Sequence, residues 1–295
     1  MSRIALGLMR SSCLSEKELE KLILDCLNEG IYFFDIADIY GNTYCETLLG
    51  KVLQNNPSLR NKMYIQTKVG ICHDYRGYDS SYDYIIKATR ESLKRMNIDC
   101  LDCLLLHRPD ILMDNEEIAK AINYLMENDL VKHFGLSNFT IMEIEYLKQT
   151  LKCKIEYNQV QLGLGNTLML DQTMYCNVPL SKTSRSNDDL LFYLKKENII
   201  IQCWSPFQVG FFDGCIFDEE KYPQYNQVLT KFASKYHTSK CAIATAFLLR
   251  IDKNLMVVNG SMDFKHIYES LEGEKIELTR EDWYKIYEET GHFLP

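Results

Sequence analysis

Short apolar runs alternate with amphipathic helical patterns along the chain. In the segment EKELEKLILDCLNEG, Leu19, Ile23 and Cys26 share one helical face, and Gly30 marks the end of the helix. Further helical patterns cover residues 81–96, 115–128, 140–151, 187–198 and 241–250. Apolar runs short enough to be strands occupy residues 4–6, 31–34, 63–67, 101–106, 131–136, 155–160, 199–203 and 255–258. The pattern therefore predicts eight strands that alternate with helices.

Strands that alternate with helices favour a parallel sheet covered by helices, and eight such units are the number in a closed (β/α)8 TIM barrel. A doubly wound sheet is the alternative, but no Gly-rich dinucleotide fingerprint follows the first strands. Gly163 and Gly165 form a GxG that lacks a third glycine and a following helix. Since no low-complexity tract or linker interrupts the chain, we expect one domain over residues 1–295.

Composition narrows the class of partner. The chain carries 41 acidic and 33 basic residues, so its surface should repel phosphate backbones and anionic lipids. We therefore expect no nucleic-acid or membrane partner, and a small molecule as the ligand. The sequence has neither a signal-peptide pattern nor a long apolar segment, which favours the cytoplasm. It leaves the oligomeric state open, and a monomer is compatible with it.

The cysteines predict neither a disulfide framework nor a metal site. There are eleven, an odd number without repeated spacing, which is typical of reduced core thiols. Cys100 and Cys103 form the one CxxC, but Cys103 lies inside an apolar run and no second CxxC occurs. We expect both to be structural, and no metal to be bound.

Polar or aromatic residues stand where several of the predicted strands end. They are Asp35, Lys68, His107, Ser137, Asn138, Gln159, Trp204, Ser205 and Ser261. In a (β/α)8 barrel the carboxyl ends of the strands converge, and the active site lies there. Each residue also has an ordinary structural explanation, such as a carboxylate that caps a turn, a satisfied core histidine or a solvated lysine. Thr140 and Glu143 have the spacing of a capping box.

Four residues of this kind make chemical sense together. A buried lysine is costly unless a carboxylate pairs with it, which gives Asp35 a role beside Lys68. The paired ammonium can hold the pKa of a phenol below its reference value of about 10. Tyr40, five residues after Asp35, could then donate a proton near neutral pH, and His107 could hydrogen-bond a substrate oxygen.

The arrangement resembles the aldo-keto reductase family over nearly the whole chain. FFDIADIYGNTYCETLLG is similar to the Asp-and-Tyr segment of the family, YIQTKVG to its lysine strand and DCLLLHRPD to its histidine strand. HFGLSNF is similar to its Ser-Asn pair and NQV to its glutamine. The finer pattern resembles a bacterial subgroup of oxidoreductases with poorly defined substrates. The resemblance implies that Asp35, Tyr40, Lys68 and His107 are catalytic.

The resemblance also implies a nicotinamide cofactor. Ser137, Asn138 and Gln159 would bind the nicotinamide carboxamide, and Trp204 would stack on the ring. The remaining cofactor contacts would come from Ser205, Phe207, Ser261, His266 and Glu269. This sequence departs from the family where Gly260, His266 and Ser270 replace a lysine, an arginine and an asparagine. We therefore expect NADPH to be favoured modestly, with NADH also accepted.

The expected reaction is hydride transfer from the cofactor to an aldehyde or ketone, or the reverse oxidation of an alcohol, with Tyr40 as general acid. The alternative is a regulatory protein of the same fold that binds the cofactor and turns over slowly or not at all. The physiological substrate, the direction of the reaction and the conformations of residues 162–187 and 208–222 do not follow from the sequence.

Overall fold

A computed structural model describes residues 2–175 and 189–295 of the chain. Eight parallel strands form a closed barrel: β1 (Ile4–Gly7), β2 (Phe33–Asp35), β3 (Tyr64–Val69), β4 (Leu101–Leu106), β5 (Val131–Ser137), β6 (Ile155–Gln161), β7 (Ile200–Trp204) and, last in the chain, β10 (Met256–Asn259). Around the barrel their order is β1-β10-β7-β6-β5-β4-β3-β2. The predicted (β/α)8 fold is therefore confirmed.

Helices cover the connections between the strands. They are α1 (Glu16–Asn28), α2 (Tyr44–Asn55), α3 (Tyr82–Met96), α4 (Asn115–Glu127), α5 (Ile141–Lys148), α6 (Leu168–Met174), α7 (Leu190–Glu197), α8 (Pro223–Tyr236), α9 (Lys240–Leu249), α10 (Phe264–Glu272) and α11 (Arg280–Glu289). Gly30, with a φ of +80°, follows α1 in the left-handed conformation that glycine adopts without strain. Thr140 and Glu143 form the predicted capping box of α5.

The two long connections have local structure of their own. After β6 the chain forms a turn between Gly163 and Asn166 and then α6, while residues 176–188 lie outside the described residues. The predicted helical pattern of residues 187–198 is represented by α7. After β7, strands β8 (Gln208–Val209) and β9 (Gly214–Cys215) form a small antiparallel hairpin.

Strand register determines which side chains meet in the first half of the barrel. Gly7 of β1, Asp35 of β2 and Gln66 of β3 are successive partners in the parallel ladder. Because side chains alternate along a strand, Gln66 and Lys68 of β3 point to one side of the sheet and Thr67 to the other. Thr67 donates a hydrogen bond of 2.6 Å to Glu46 of α2, and Lys68 reaches Asp35. The alternation thus separates the helix-facing residues from the candidate site.

By their internal contacts the described residues form two compact units. The first contains Ala5–Gln159 and Gly260–Phe264, and the second contains Ser2–Ile4, Lys265–Pro295 and the described part of Val160–Asn259. The single domain expected over residues 1–295 stays a prediction, as do the cytoplasmic location and the oligomeric state.

Cys100 and Cys103 are free thiols, and Cys103 is buried in β4. Within residues 2–175 and 189–295, no helix is long and apolar enough to cross a membrane.

Candidate active site

Tyr40 is placed by a tight turn between β2 and α2. The backbone N–H of Tyr40 donates to the carbonyl of Ala37, and the chain then passes through three successive left-handed residues, Gly41, Asn42 and Thr43. Thr43 has a φ of +72°, which is uncommon for a β-branched side chain. The turn from Ala37 to Tyr40 brings the phenol back to Lys68, and the left-handed residues that follow lead into α2. The spacing of five residues between the acid and the phenol is thereby explained.

Lys68 lies at the centre of the cluster and is fully buried. Its ammonium donates to Oδ2 of Asp35 at 2.8 Å, to the carbonyl of Ile36 at 2.9 Å and to the phenol oxygen of Tyr40 at 3.2 Å. A lysine has three N–H donors, so these contacts can use all of them. The structure thus brings together three of the residues that the sequence analysis selected.

The direction of the pKa shift at Tyr40 corrects the expectation. Burial raises the pKa of Tyr40 above its usual value, while the positive charge and the hydrogen bond of Lys68 lower it less than burial raises it. The expected net shift below about 10 is therefore wrong for this structure, because the phenol is buried along with its cation. Burial also lowers the pKa of Lys68, but the attraction of Asp35, with help from Tyr40, raises it overall. Lys68 is therefore charged and Tyr40 protonated at neutral pH.

His107 is neutral and packs against the phenol. Its ring meets that of Tyr40 edge to face, with the centroids 5.7 Å apart. Burial, the charge of Lys68 and the charge of Arg108 hold the pKa of His107 well below its usual value. One ring nitrogen of a neutral imidazole carries a hydrogen and the other accepts one. His107 can therefore donate a hydrogen bond without adding a charge to the site.

The amide cluster predicted at the ends of β5 and β6 is also present. The hydroxyl of Ser137 donates to the backbone carbonyl of Gln159 at 3.0 Å, and the amide of Asn138 donates to the Ser137 hydroxyl at 2.8 Å. Asn138 has a φ of +64°, in the left-handed region that asparagine tolerates better than most residues. Nε2 of Gln159 donates to Oδ1 of Asp35 at 2.9 Å, a contact that the sequence analysis did not foresee. The amide cluster is thus hydrogen-bonded to the Asp35–Lys68–Tyr40 cluster.

Sequence reasoning missed two residues that contact or neighbour this cluster. Gln66 is fully buried, and its Nε2 donates to Oδ1 of Asp35 at 2.7 Å.

Asp38, two residues before Tyr40, is also fully buried, and Nε2 of His73 lies 3.5 Å from its Oδ2. Burial and the nearby charge of Glu46 raise the pKa of Asp38 to about 7. The pattern DIAD placed two acids three residues apart, but only the structure shows that both are buried.

Five further cofactor candidates belong to the second unit: Trp204, Ser205, Phe207, His266 and Glu269. In the second unit, Trp204 packs against Phe211 and Phe212 with ring centroids 6.2 and 6.1 Å away, and Phe207 packs on Phe217 at 5.3 Å. Ser205 has a φ of +48°. His266, on the exposed side of α10, and Glu269, partly exposed there, belong to the same unit.

Two departures from the family pattern, Gly260 and Ser270, follow β10 in the chain. Ser270, which replaces an asparagine of the family, is fully buried and accepts a hydrogen bond of 2.7 Å from Asn259. In the first unit, Gly260 lies beside Arg10, which donates to the Gly260 carbonyl at 3.2 Å. The hydroxyl of Ser261 accepts a hydrogen bond of 3.1 Å from the backbone N–H of Asp263.

Comparisons with known proteins point to one family. The family model for the aldo/keto reductase family matches residues 3–289. Oxidoreductase YdhF of Escherichia coli strain K12 is 30% identical over 92% of this chain and 87% of its own length. A 6-dehydroglucose reductase of Agrobacterium fabrum strain C58 is 29% identical over 97% of this chain and 93% of its own. Among solved structures, an aldo-keto reductase from Klebsiella pneumoniae in complex with NADPH has a TM-score of 0.76 at 17% identity, and the match covers 98% of this chain and 91% of that one.

The chain therefore belongs to the aldo/keto reductase family and is an oxidoreductase, and its closed barrel is the fold of the solved aldo-keto reductase. The resemblance deduced from the sequence is confirmed at the level of the family and of the bacterial oxidoreductases within it. The individual roles of the site residues stay predictions.

Proposed function

We propose that this protein reduces an aldehyde or ketone to an alcohol with NADPH as the hydride donor. The observation that carries the proposal is the ammonium of Lys68, which lies between Oδ2 of Asp35 and the phenol oxygen of Tyr40. Because the ammonium donates to the phenol oxygen, the hydrogen of the phenol itself remains available for a carbonyl oxygen. A protonated, buried phenol beside a cation is suited to act as a general acid.

The chemistry of the amide cluster fits a nicotinamide. A carboxamide has an N–H2 group and a carbonyl oxygen, so it needs acceptors and donors side by side. Ser137, Asn138 and Gln159 supply one hydroxyl and two amides, and the Ser137 hydroxyl is hydrogen-bonded both to the Asn138 amide and to the Gln159 backbone carbonyl. These three residues would hold the carboxamide and orient the ring, and the bound cofactor would supply a hydride.

The other residues of the cluster manage the proton. Tyr40 gives its proton to the oxygen of the developing alkoxide, so no free oxyanion forms. Lys68 stabilises the phenolate that remains, and Asp35 compensates the charge of Lys68 in the resting protein. His107, neutral in this environment, donates a ring N–H to the same substrate oxygen and polarises the carbonyl.

We expect the protein to prefer NADPH to NADH. The family match and the NADPH complex of the K. pneumoniae protein support this expectation. Trp204, Ser205, Phe207, Ser261, His266 and Glu269 are proposed as further cofactor contacts by resemblance. NADH should also be accepted, since Gly260 and His266 replace two permanent cations of the family. Substrates are small carbonyl compounds, and the name of the A. fabrum relative makes oxidised sugars a sensible part of any screen.

The test is NADPH consumption by the purified protein with a panel of aldehydes, ketones and oxidised sugars, with NADH in parallel. We expect at least one carbonyl class to be reduced with a turnover of about one per second or more, which is ordinary for enzymes. Rates far below one per second on every compound, despite tight cofactor binding, would instead support the regulatory protein. Tyr40→Phe is the control that separates catalysis at this site from a contaminating reductase.

A further inference from the structure

Asp35 is held by more than its ion pair. Its carboxylate is buried, with an exposed fraction of 3%, and three side-chain donors reach it. Lys68 donates to Oδ2 at 2.8 Å, whereas Nε2 of Gln66 and Nε2 of Gln159 donate to Oδ1 at 2.7 and 2.9 Å. Since a buried ionised carboxylate is costly unless both oxygens are satisfied, the two amides meet a need that the lysine alone leaves open.

The position of Gln66 follows from the strand register. Gln66 of β3 is the direct ladder partner of Asp35 of β2, and the residue two places later on the same side of β3 is Lys68. One strand thus presents an amide to Oδ1 and an ammonium to Oδ2 of the same carboxylate. Such a pair of contacts fixes the plane of the carboxylate as well as its position.

We propose that Gln66 is a positioning residue of the reductase, which acts on catalysis through Asp35. Its amide orients the carboxylate so that Oδ2 faces Lys68, and Lys68 in turn keeps its hydrogen bond to the phenol oxygen of Tyr40. The inference rests on the proposed function, because it assigns Gln66 a part in that reaction.

The two glutamines that reach Oδ1 differ in what else they would do. Gln159 accepts a hydrogen bond from Ser137 through its backbone carbonyl, and its side chain is proposed to contact the nicotinamide. A cofactor that engages the Gln159 amide would share it with Asp35. Gln66 lies in the interior of β3 and is fully buried, so its hold on Oδ1 does not depend on the cofactor in this way. Of the two amide donors to Oδ1, Gln66 is therefore the one to which we assign the orientation of Asp35.

The first test compares two changes in the same strand. Gln66→Met keeps the approximate volume and removes the donor to Asp35, while Thr67→Val removes the buried bond to Glu46 on the other side of β3. Because a hydrogen bond to a charged group is involved, we expect Gln66→Met to lower kcat about tenfold or more, with KM changed less than about twofold. Thr67→Val should leave both constants within about twofold.

Gln66→Glu and Gln66→Met together distinguish orientation from packing. Glutamate has nearly the shape of glutamine, but it places a second carboxyl group beside Asp35. If Gln66 acts through its hydrogen bond, Gln66→Glu should lower kcat more than Gln66→Met does. If Gln66 only fills space, Gln66→Met, which keeps the volume, should leave kcat within about twofold of the wild type, and that result would overturn the inference. Gln66→Asn, whose amide stops short of Asp35, serves the same comparison if Gln66→Met does not fold.

A double-mutant cycle on the cofactor-free protein supplies a readout independent of activity. The denaturant midpoints of Gln66→Met, Asp35→Asn and the double variant should be non-additive, because removal of the Asp35 charge removes the partner of the Gln66 amide. Additive midpoints, together with an unchanged kcat in Gln66→Met, would contradict the role of Gln66. The proposed function would still stand in that case, because the wild type would still reduce its substrate. If the wild type reduces no carbonyl compound at all, the proposed function fails, and non-additive midpoints would show only a structural contact.

Discussion

The phenol oxygen of Tyr40 lies 3.2 Å from Nζ of Lys68, in a hydrogen bond that the ammonium donates. This direction matters because a phenol that accepts from a cation retains its own hydrogen for another partner. The cation also stabilises the phenolate that is left when the proton is given away. The geometry therefore suits a residue that gives up a proton and later regains it.

Removal of the phenol hydroxyl tests the role of Tyr40 directly. Tyr40→Phe should keep the fold and the affinity for NADPH but lower turnover by roughly two to four orders of magnitude, the usual contribution of a general acid. Steady-state kinetics and cofactor titration of the purified variant measure both quantities. Tyr44→Phe, a change on the exposed start of α2, is the matched control, and it should behave as the wild type does. Equal turnover in Tyr40→Phe and the wild type would remove Tyr40 from the mechanism.

Lys68→Met should lower activity strongly and also move its pH dependence. Reduction needs a protonated phenol, so activity falls as the pH rises through the pKa of Tyr40. Burial raises that pKa and Lys68 lowers it, so the loss of Lys68 should raise it further and move the alkaline decline to higher pH. The measurement is kcat/KM against pH for the residual activity, with the exposed Lys87→Met as control. An alkaline decline at the same pH in both proteins would show that Lys68 does not act on the phenol.

Asp38→Asn should change stability in a pH-dependent way. The pKa of Asp38 rises from 3.8 to about 7 on folding, through burial and the charge of Glu46, with Arg95 and Lys68 opposing. Between about pH 4 and pH 7 the folded protein therefore binds a proton at Asp38 that the unfolded chain has released. The contribution of Asp38 to the free energy of unfolding declines as the pH rises through that range. Asp38→Asn should remove the decline.

Denaturant unfolding at pH 5 and pH 8 measures this effect. At pH 8 the variant should be more stable than the wild type, by an amount of the order of 1–4 kcal/mol. At pH 5 the difference should be smaller. Asp74→Asn, an exposed change in the connection that carries His73, is the control. The same difference at both pH values would mean that Asp38 does not titrate in the folded protein as described.

Gly260→Lys should strengthen the preference for NADPH. A charge-assisted hydrogen bond to the 2′-phosphate would raise the NADPH to NADH ratio of kcat/KM about ten- to a hundredfold. A side chain at this position would meet Nη1 of Arg10 at 3.2 Å, the end of a flexible side chain that can move. Gly260→Met has the same reach without the charge, and it should leave the ratio nearly unchanged. If the lysine and methionine variants give the same ratio, the phosphate is bound elsewhere.

The sequence predicted the elements of the fold because their signals are local. Each of the eight barrel strands overlaps an apolar run, and helices α1, α3 and α4 match amphipathic patterns closely. Asp35, Tyr40, Lys68 and His107 could be selected because strand ends converge in a (β/α)8 barrel whatever the details of its loops. Family resemblance then supplied the roles that convergence alone leaves open.

Other features depend on register and burial, which a single sequence does not determine. Gln66 was missed because an amide within a strand gives no signal until its ladder partner, Asp35, is known. The predicted direction of the pKa shift at Tyr40 was wrong. Burial raises this pKa and Lys68 lowers it, and the sequence alone does not show how deeply the phenol is buried. The hairpin of β8 and β9 and the contacts of Trp204 with Phe211 and Phe212 lie in a connection without apolar periodicity.

The most direct test of the central claim follows the hydride itself. Purified protein is supplied with NADPH that carries deuterium in place of the transferred hydrogen and with the best carbonyl compound of the panel, and the product is analysed by mass spectrometry and NMR. The account predicts an alcohol with one deuterium on the former carbonyl carbon, formed by the wild type and about a hundredfold or more slowly by Tyr40→Phe. An alcohol without deuterium, or labelled alcohol formed equally fast by both proteins, would contradict it.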